Sequence, residues 1–352
     1  MNADSQIRME KMTASLLQTA SLPAAIAVKP LRGGRNNKVF RVTTSEGHFL
    51  LKCYFHHPQD PRDRLGQEFT FLKHLSRTGC QFSARPLASD PVRHVGLMEF
   101  IEGVRPQLAE VDENHIDQAI AFFFEANRGL DHPDTLQISP ASEACFTIAE
   151  HIARTQTRVE RLGHILLEDE VDAAAADFVR RLLNPIWIHV RRTVEARWPS
   201  DEARNAALPH SERCLSPSDF GFHNSLRQRG GRLRFLDFEY AGWDDPAKLI
   251  VDFANQPDMI LNRVLSDRFR AALVNTSADT HSLCRRVAAL EPLYQVKWAC
   301  ICLNDFLSFG RSRHRFTEEE ITDHQVRREF QLARSRDMLA RADEALSLAA
   351  RI

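Results

Sequence analysis

Short runs of alternating apolar and polar residues follow one another between about residues 25 and 99. Three of these runs, AIAVKPL, KVFRVTT and HFLLKCYF, have the period of two that is typical of half-buried β-strands. The second and third runs are joined by the turn sequence Ser45-Glu46-Gly47. The pattern therefore predicts antiparallel hairpin strands in this part of the chain.

After these strands, the spacing between apolar residues changes from two residues to three or four. Apolar residues recur at Leu65, Phe69, Leu72 and Leu75, and Gly79 follows in the place of a helix C-cap. This spacing predicts one amphipathic helix after the hairpin strands. The stretch RHVGLMEFIEGVRP reads as a further short buried strand that is ended by glycine and proline.

Helical periodicity dominates from about residue 104 onward, including the alanine-rich DAAAADFVRRLL. The pattern predicts an α+β fold with two lobes. We assign residues 1–102 to a β-rich lobe with an antiparallel sheet and residues 103–352 to a mostly helical lobe.

Composition and charge narrow the class of protein. The chain has 352 residues, 46 Lys plus Arg against 47 Asp plus Glu, and a formal net charge of −1. Because positive and negative charges are balanced, the chain has no long-range electrostatic field that would attract a polyanion, and we expect no nucleic-acid partner. The 7 cysteines contain no CxxC pair and favour a reducing cytoplasm. The first residues carry charges where a secretory signal is apolar, so we expect no targeting segment and no membrane anchor.

Candidate chemistry concentrates in SPSDFGFHNSLRQRGGRLRFLDFEYAGWDDP, residues 216 to 246. RLRFLDF reads as the second arm of a hairpin that turns at Arg229-Gly230-Gly231 and ends at Asp237. Asp219 and Asn224 lie on the loop that enters this hairpin. Magnesium prefers such hard oxygen ligands and takes only one or two carboxylates, which leaves a further aspartate free to receive or orient a proton.

A nucleotide would complete this arrangement, and the first lobe contains a suitable cradle. LRGGRNNKVF has two glycines between strands, where backbone N–H groups can approach phosphate oxygens. Lys52 lies within the next apolar strand, and Glu68 on the following helix is its natural partner.

These residues together resemble the aminoglycoside phosphotransferase and choline kinase family, which has a protein-kinase-like fold. The family pattern Gly-Gly-x-x-Asn-x-x-aromatic-x-Val is matched by Gly33, Gly34, Asn37, Phe40 and Val42. The pattern His-Gly-Asp-x-x-x-x-Asn is matched from residue 217 to residue 224, although proline and serine replace the histidine and the glycine. The resemblance extends from about residue 25 to residue 255 in the right order.

The resemblance implies a role for each matched residue. Asp219 would be catalytic and would accept or orient the proton of an attacking hydroxyl, and Asn224 and Asp237 would hold Mg²⁺. ATP would be the second cofactor, and the residues implied to bind it are Gly33, Gly34, Asn37, Lys52, Glu68, and Glu99 and Ile101 of the adenine-binding linker LMEFIEG. Glu239 would reach a second metal through water.

The implied activity is transfer of the γ-phosphoryl of ATP to a hydroxyl of a small molecule. A sugar or an amino alcohol is favoured over an aminoglycoside. Only nine residues, FEYAGWDDP, separate Asp237 from the next predicted helix, too few for the peptide-docking segment of a protein kinase. The alternative is a non-catalytic pseudokinase that binds a nucleotide as a regulator or scaffold.

Several of these residues have a purely structural interpretation as well. Asp219 and Asn224 can act as turn formers, and Lys52 with Glu68 can be a structural salt bridge. Asp245 before Pro246 is typical of a helix N-cap. Tyr240 and Trp243 would bind a cationic amine or, as we favour, pack between loop and helix.

Overall fold

The computed structural model describes residues 3–31, 37–57, 60, 62–307 and 324–349. The chain divides into two compact units. The first unit comprises Met1–Glu143 and Leu215–Trp243, and the second comprises Ala144–Cys214 and Asp244–Ile352. The lobe boundary between residues 102 and 103 stays a prediction.

The first unit contains a five-stranded antiparallel sheet in the order β1-β2-β3-β5-β4. Its strands are β1 (Ala27–Leu31), β2 (Lys38–Thr44), β3 (Gly47–Cys53), β4 (Pro86–Asp90) and β5 (Val95–Glu99). The three predicted hairpin strands and the buried strand before Gly103 are confirmed. In this register Lys52 lies opposite Val39 on one side and Gly96 on the other, in the centre of the sheet.

One face of the sheet is covered by helix α1 (Ala3–Thr19), which the sequence pattern did not predict. Leu16 and Leu17 of this helix are buried in one core cluster with Val42, Leu51 and Leu97 of the strands. The alternation in β2 and β3 thus supplies an apolar face, and α1 removes that face from water.

The other covering element is helix α2 (Arg64–Arg77), which confirms the predicted amphipathic helix. Asp63 caps its N-terminus by accepting from the Gly66 N–H, and Gly79 has φ +75° just beyond its end. The helix approaches β5 closely, because a Cβ at Gly96 would lie 2.3 Å from the Phe69 ring.

The first unit also holds helices α3 (Glu113–Ala126) and α4 (Pro133–Leu136) and the hairpin of β7 (Ser225–Arg227) and β8 (Leu233–Phe235). Short strands β6 (Cys214–Ser216) and β9 (Gly242–Asp244) flank this segment. Phe122 of α3 stacks on Phe235 with ring centroids 4.8 Å apart, and Phe235 meets Phe220 at 5.0 Å. This aromatic cluster anchors the loop that contains Asp219.

The second unit is mostly helical in its described residues, in agreement with the helical periodicity predicted for the later part of the chain. Its helices are α5 (Ile148–Arg161), α6 (Glu170–Phe178), α7 (Asn184–Arg197), α8 (Asp201–Asn205), α9 (Pro246–Ala254), α10 (Arg263–Val274), α11 (Thr280–Cys302) and a last helix, His324–Ala349. A π-helical segment covers Val179–Leu183. Within the described residues of both units, 3₁₀ turns cover Leu108–Glu110, Leu162–His164, His210–Glu212, Phe222–Asn224 and Leu303–Phe306. No helix within the described ranges is long and apolar enough to cross a membrane.

Helix α9 is held by buried charges. Asp245 is its N-cap and accepts from the Ala247 N–H at 2.8 Å, as predicted. His151 lies 3.5 Å from the Asp245 carboxylate. Burial alone would lower the pKa of His151, but the neighbouring Cys145 and Asp245 outweigh it and raise that pKa to about 9.

Candidate active site

Asp219 and Asn224 meet on the loop between β6 and β7. The Asn224 amide donates from Nδ2 to the Asp219 carbonyl at 3.0 Å and to Oδ2 of its carboxylate at 3.4 Å. His223 Nε2 lies 3.3 Å from Asp219 Oδ1. The Asp219 side chain keeps 36% of its surface exposed, so its carboxylate faces solvent as well as the loop. His223 was missed, although its position four residues after Asp219 is the signal that could have identified it.

The backbone of this loop is unusual at Ser218. Its φ is +69°, the left-handed region that favours glycine, and serine stands here where the family pattern has glycine. The Ser218 N–H donates to Ser216 Oγ at 3.0 Å, and its carbonyl accepts from the Phe220 N–H at 2.7 Å. These bonds hold the turn that presents Asp219.

Asp237 lies two residues beyond β8 with φ +65°. Its Oδ1 is 2.6 Å from Lys52 Nζ, and Lys52 Nζ is also 2.6 Å from Glu68 Oε2. The Leu236 N–H donates to the Asn224 carbonyl at 2.8 Å, which brings Asp237 beside the end of the Asp219 loop. Sheet, helix α2 and hairpin thus place Lys52, Glu68, Asp237 and Asn224 in one unit.

Lys52 is buried, and its electrostatics follow from its two partners. Burial alone would lower its pKa, but the carboxylates of Asp237 and Glu68 outweigh it and raise the pKa of Lys52 above its usual value. Burial raises the pKa of Glu68, and Lys52 opposes that rise. Glu68 also accepts from the Phe238 N–H at 3.2 Å. The ammonium is therefore charged and fixed at the centre of the site.

Of the turn that is predicted to bind phosphate, only the end at Asn37 lies within the described residues. Gly33 and Gly34 lie outside the described residues. Asn37 is 5% exposed, and its Nδ2 donates to Glu239 Oε2 at 2.7 Å. Glu239 itself is 1% exposed and lies 3.6 Å from Arg64 Nε. Arg64 was not predicted as a site residue, although its position four residues before Glu68 puts it on the same side of α2.

The predicted adenine-binding linker follows β5. The Glu99 N–H donates to the Arg85 carbonyl at 2.9 Å, and the Glu99 carboxylate accepts from Arg234 Nη2 at 3.0 Å. Ile101 is 7% exposed. Glu99 is thus a bridge between the sheet and β8, and its role toward a nucleotide stays a prediction.

Solved structures with a similar fold extend over nearly the whole chain. The spectinomycin phosphotransferase APH(9)-Ia has a TM-score of 0.61 at 10% identity, with 98% of each chain covered. Choline kinase LicA from Streptococcus pneumoniae has a TM-score of 0.57 at 15% identity and covers 95% of this chain and 99% of its own. An ethanolamine kinase from Plasmodium vivax has a TM-score of 0.53 at 14% identity and covers 90% of this chain and 83% of its own. At these identities the likeness concerns the fold, which is the predicted protein-kinase-like one.

Sequence comparison extends this likeness from fold to family. No curated protein sequence matches the chain closely enough to count as a relative. The pattern of the phosphotransferase enzyme family, however, matches residues 27–287, which span the sheet, α2, the Asp219 loop and α9. This match covers more than half of the chain. The protein therefore belongs to the phosphotransferase enzyme family, as its motifs predicted.

Proposed function

We propose that the protein transfers the γ-phosphoryl group of ATP to a hydroxyl of a small molecule, a sugar or an amino alcohol, in the presence of Mg²⁺. The observation that supports this most directly is the chain of contacts from Glu68 through Lys52 to Asp237, with Asn224 beside it and Asp219 on the same loop. We assign residues 1–102 to nucleotide binding and residues 103–352 to catalysis and acceptor binding. A cytoplasmic location stays part of this proposal.

Each side chain has a task in this reaction. Lys52, which Glu68 orients, would bind the α and β phosphates with its buried ammonium, and Asp219 would accept or orient the proton of the attacking hydroxyl. Because the transition state of phosphoryl transfer is largely dissociative, these groups contribute mainly by positioning and by balancing charge.

The ligand set on this loop and hairpin fits magnesium. Asp237 has 39% of its side chain exposed, and Asn224 uses its amide nitrogen on Asp219, so the Asn224 oxygen is the atom suited to a metal. One carboxylate and one amide oxygen are what Mg²⁺ takes from a protein when phosphate and water complete its shell. When bound, the metal would balance charge on the phosphates.

The acceptor class is narrowed by residues that already have partners. Trp243 is 3% exposed and its indole N–H donates to the Thr135 carbonyl, which agrees with the packing role. The Tyr240 ring has the Arg62 guanidinium 5.5 Å from its centroid. Three carboxylates would attract a polycationic antibiotic: Glu239, Asp244 and Glu102. Glu102 is exposed, but Glu239 and Asp244 are buried and contact Arg64 and Lys248 respectively. These contacts favour a neutral sugar or a small amino alcohol over an aminoglycoside.

The test is an ATP-consumption assay with purified protein against panels of sugars, amino alcohols and aminoglycosides. Asp219→Asn should lower acceptor-stimulated turnover about 10²- to 10⁴-fold while ATP binding survives, because the variant keeps the side-chain shape and loses the proton acceptor. Asp134→Asn is the matched control, since Asp134 is an aspartate of the same unit with 78% of its side chain exposed. Equal turnover in wild type and Asp219→Asn would refute the catalytic role.

Asp237→Ala separates the metal role from the proton role. We expect this variant to weaken Mg²⁺-dependent nucleotide binding about tenfold or more, since one of two protein ligands is lost. Binding would be measured by calorimetry with and without Mg²⁺, and an unchanged metal dependence would remove Asp237 from the site. Nucleotide binding without turnover on any acceptor would favour the pseudokinase alternative.

A further inference from the structure

Four residues of the first unit form a closed ring of polar contacts, which we call the Asn37 ring: Asn37, Phe55, Arg64 and Glu239. Asn37 Nδ2 donates to Glu239 Oε2 at 2.7 Å, and the Phe55 N–H donates to Asn37 Oδ1 at 3.1 Å. Arg64 Nη1 donates to the Phe55 carbonyl at 3.1 Å. Arg64 Nε lies 3.6 Å from Glu239 Oε1 and closes the ring.

The ring is buried, and it contains one cation, Arg64, and one anion, Glu239. Asn37, Arg64 and Glu239 are 5%, 2% and 1% exposed. Arg64 has a second carboxylate partner, Asp60, whose Oδ2 accepts from Arg64 Nη2 at 2.7 Å. Because an unsatisfied polar group at such depth costs about 1–3 kcal/mol, each contact constrains the others.

The position of the ring in the chain suggests what it does. Asn37 directly follows the turn with Gly33 and Gly34, the predicted phosphate cradle. Glu239 follows Asp237, the proposed metal ligand, by two residues. A hydrogen bond between residues 202 positions apart therefore joins the end of the cradle to the segment that carries Asp237.

We propose that Glu239 is a positioning residue that holds Asn37, one of the predicted nucleotide-binding residues, and that it does not bind a second metal. The proposal rests on the proposed nucleotide-dependent function. Both carboxylate oxygens of Glu239 already face partners of this chain, Oε2 toward Asn37 and Oε1 toward Arg64. A binding residue such as Asn37, when its side chain is already held in place, loses less conformational entropy on binding, so the ligand binds more tightly.

An exchange of the two polar groups tests the proposal. Asn37→Asp puts a carboxylate against Glu239 and removes the amide donor, so we expect the Kd for a fluorescent ATP analogue to rise about tenfold or more. Combining Asn37→Asp with Glu239→Gln restores one amide–carboxylate hydrogen bond with its direction reversed and keeps the net charge. The double variant should return to within about threefold of the wild-type Kd.

Three further measurements make the result unambiguous. The Mg²⁺ concentration for half-maximal binding should change less than about twofold in Glu239→Gln, which a metal-ligand role would not permit. Asn255→Asp is the matched control, since Asn255 is 3% exposed and its Nδ2 donates to the Val251 carbonyl in the second unit. This control should lower the Tm and leave the nucleotide Kd within about twofold. Should Asn37→Asp fail to fold, Arg64→Lys loosens the same ring more gently and should raise the Kd about threefold or more.

The outcomes are distinct. A double variant that binds as weakly as Asn37→Asp overturns the positioning role while the proposed function stands. A large change in Mg²⁺ requirement in Glu239→Gln overturns it in favour of a metal ligand. Wild-type protein that binds no nucleotide overturns the proposed function itself, and the inference with it.

Discussion

Ser218 offers a direct test of how the Asp219 loop is stabilised. It is one of four non-glycine residues with positive φ among the described residues, at +69°. An L-residue in this region costs about 1–2 kcal/mol, and glycine avoids that cost. Glycine in turn loses about 0.5–1 kcal/mol through the greater entropy of the unfolded chain. We therefore expect Ser218→Gly to increase the free energy of unfolding by about 0.5–1 kcal/mol.

The contacts of residue 218 support this magnitude. Its hydrogen bonds with Ser216 and Phe220 use its backbone N–H and carbonyl, and glycine retains both groups. The assay is urea unfolding followed by circular dichroism, together with the Tm, which should rise by about 1–3 °C. Since the turn keeps its shape, kcat should stay within about twofold of wild type.

Two other serines serve as controls. Ser21 has φ +55°, so Ser21→Gly should stabilise in the same direction. Ser200 has φ −96° at a helix N-cap, so Ser200→Gly should be neutral or slightly destabilising. A loss of stability in Ser218→Gly, with Ser21→Gly stabilising, would refute the reasoning and show that the serine side chain supports the loop.

Three further outcomes follow from buried groups. Lys52→Met should lower the free energy of unfolding in urea by about 3 kcal/mol, because it leaves the buried Glu68 carboxylate without its cation, and adding Glu68→Leu should recover most of this loss. A loss under about 1 kcal/mol would contradict a stabilising Lys52–Glu68 ion pair. The pKa of His151, about 9, lies above its ordinary value, so its stabilisation is full below about pH 6.5 and is lost as the pH rises through 9. Unfolding measured from pH 6 to pH 10 should show this loss in wild type and much less of it in His151→Gln, and parallel profiles would contradict it. Gly96→Ala should cost about 1–3 kcal/mol in thermal unfolding, because its Cβ would lie 2.3 Å from Phe69, and an unchanged Tm would contradict that approach.

Local pattern predicted most of the sheet and α2, because each depends on neighbouring residues. The alternation in KVFRVTT and HFLLKCYF reappears as β2 and β3. Strand β4, PLASD, was missed because it is short, begins with proline and has only Ala88 buried. Helix α1 was not predicted, because charged residues interrupt its apolar residues along the sequence and only its packing on the sheet gives it a buried side.

The sequence by itself determined the family, the order of the elements and the residue types that suit phosphoryl transfer, because each of these depends on short stretches of neighbouring residues. Only the tertiary structure decided which carboxylate contacts which side chain. Lys52 contacts Asp237 across 185 positions, and Glu239 contacts Asn37 across 202. In the sequence Asp237-Phe238-Glu239 the two acids look equivalent, but folding leaves Asp237 partly exposed and buries Glu239 against Asn37 and Arg64. Burial and long-range hydrogen bonds arise from packing of distant segments, which no local period encodes.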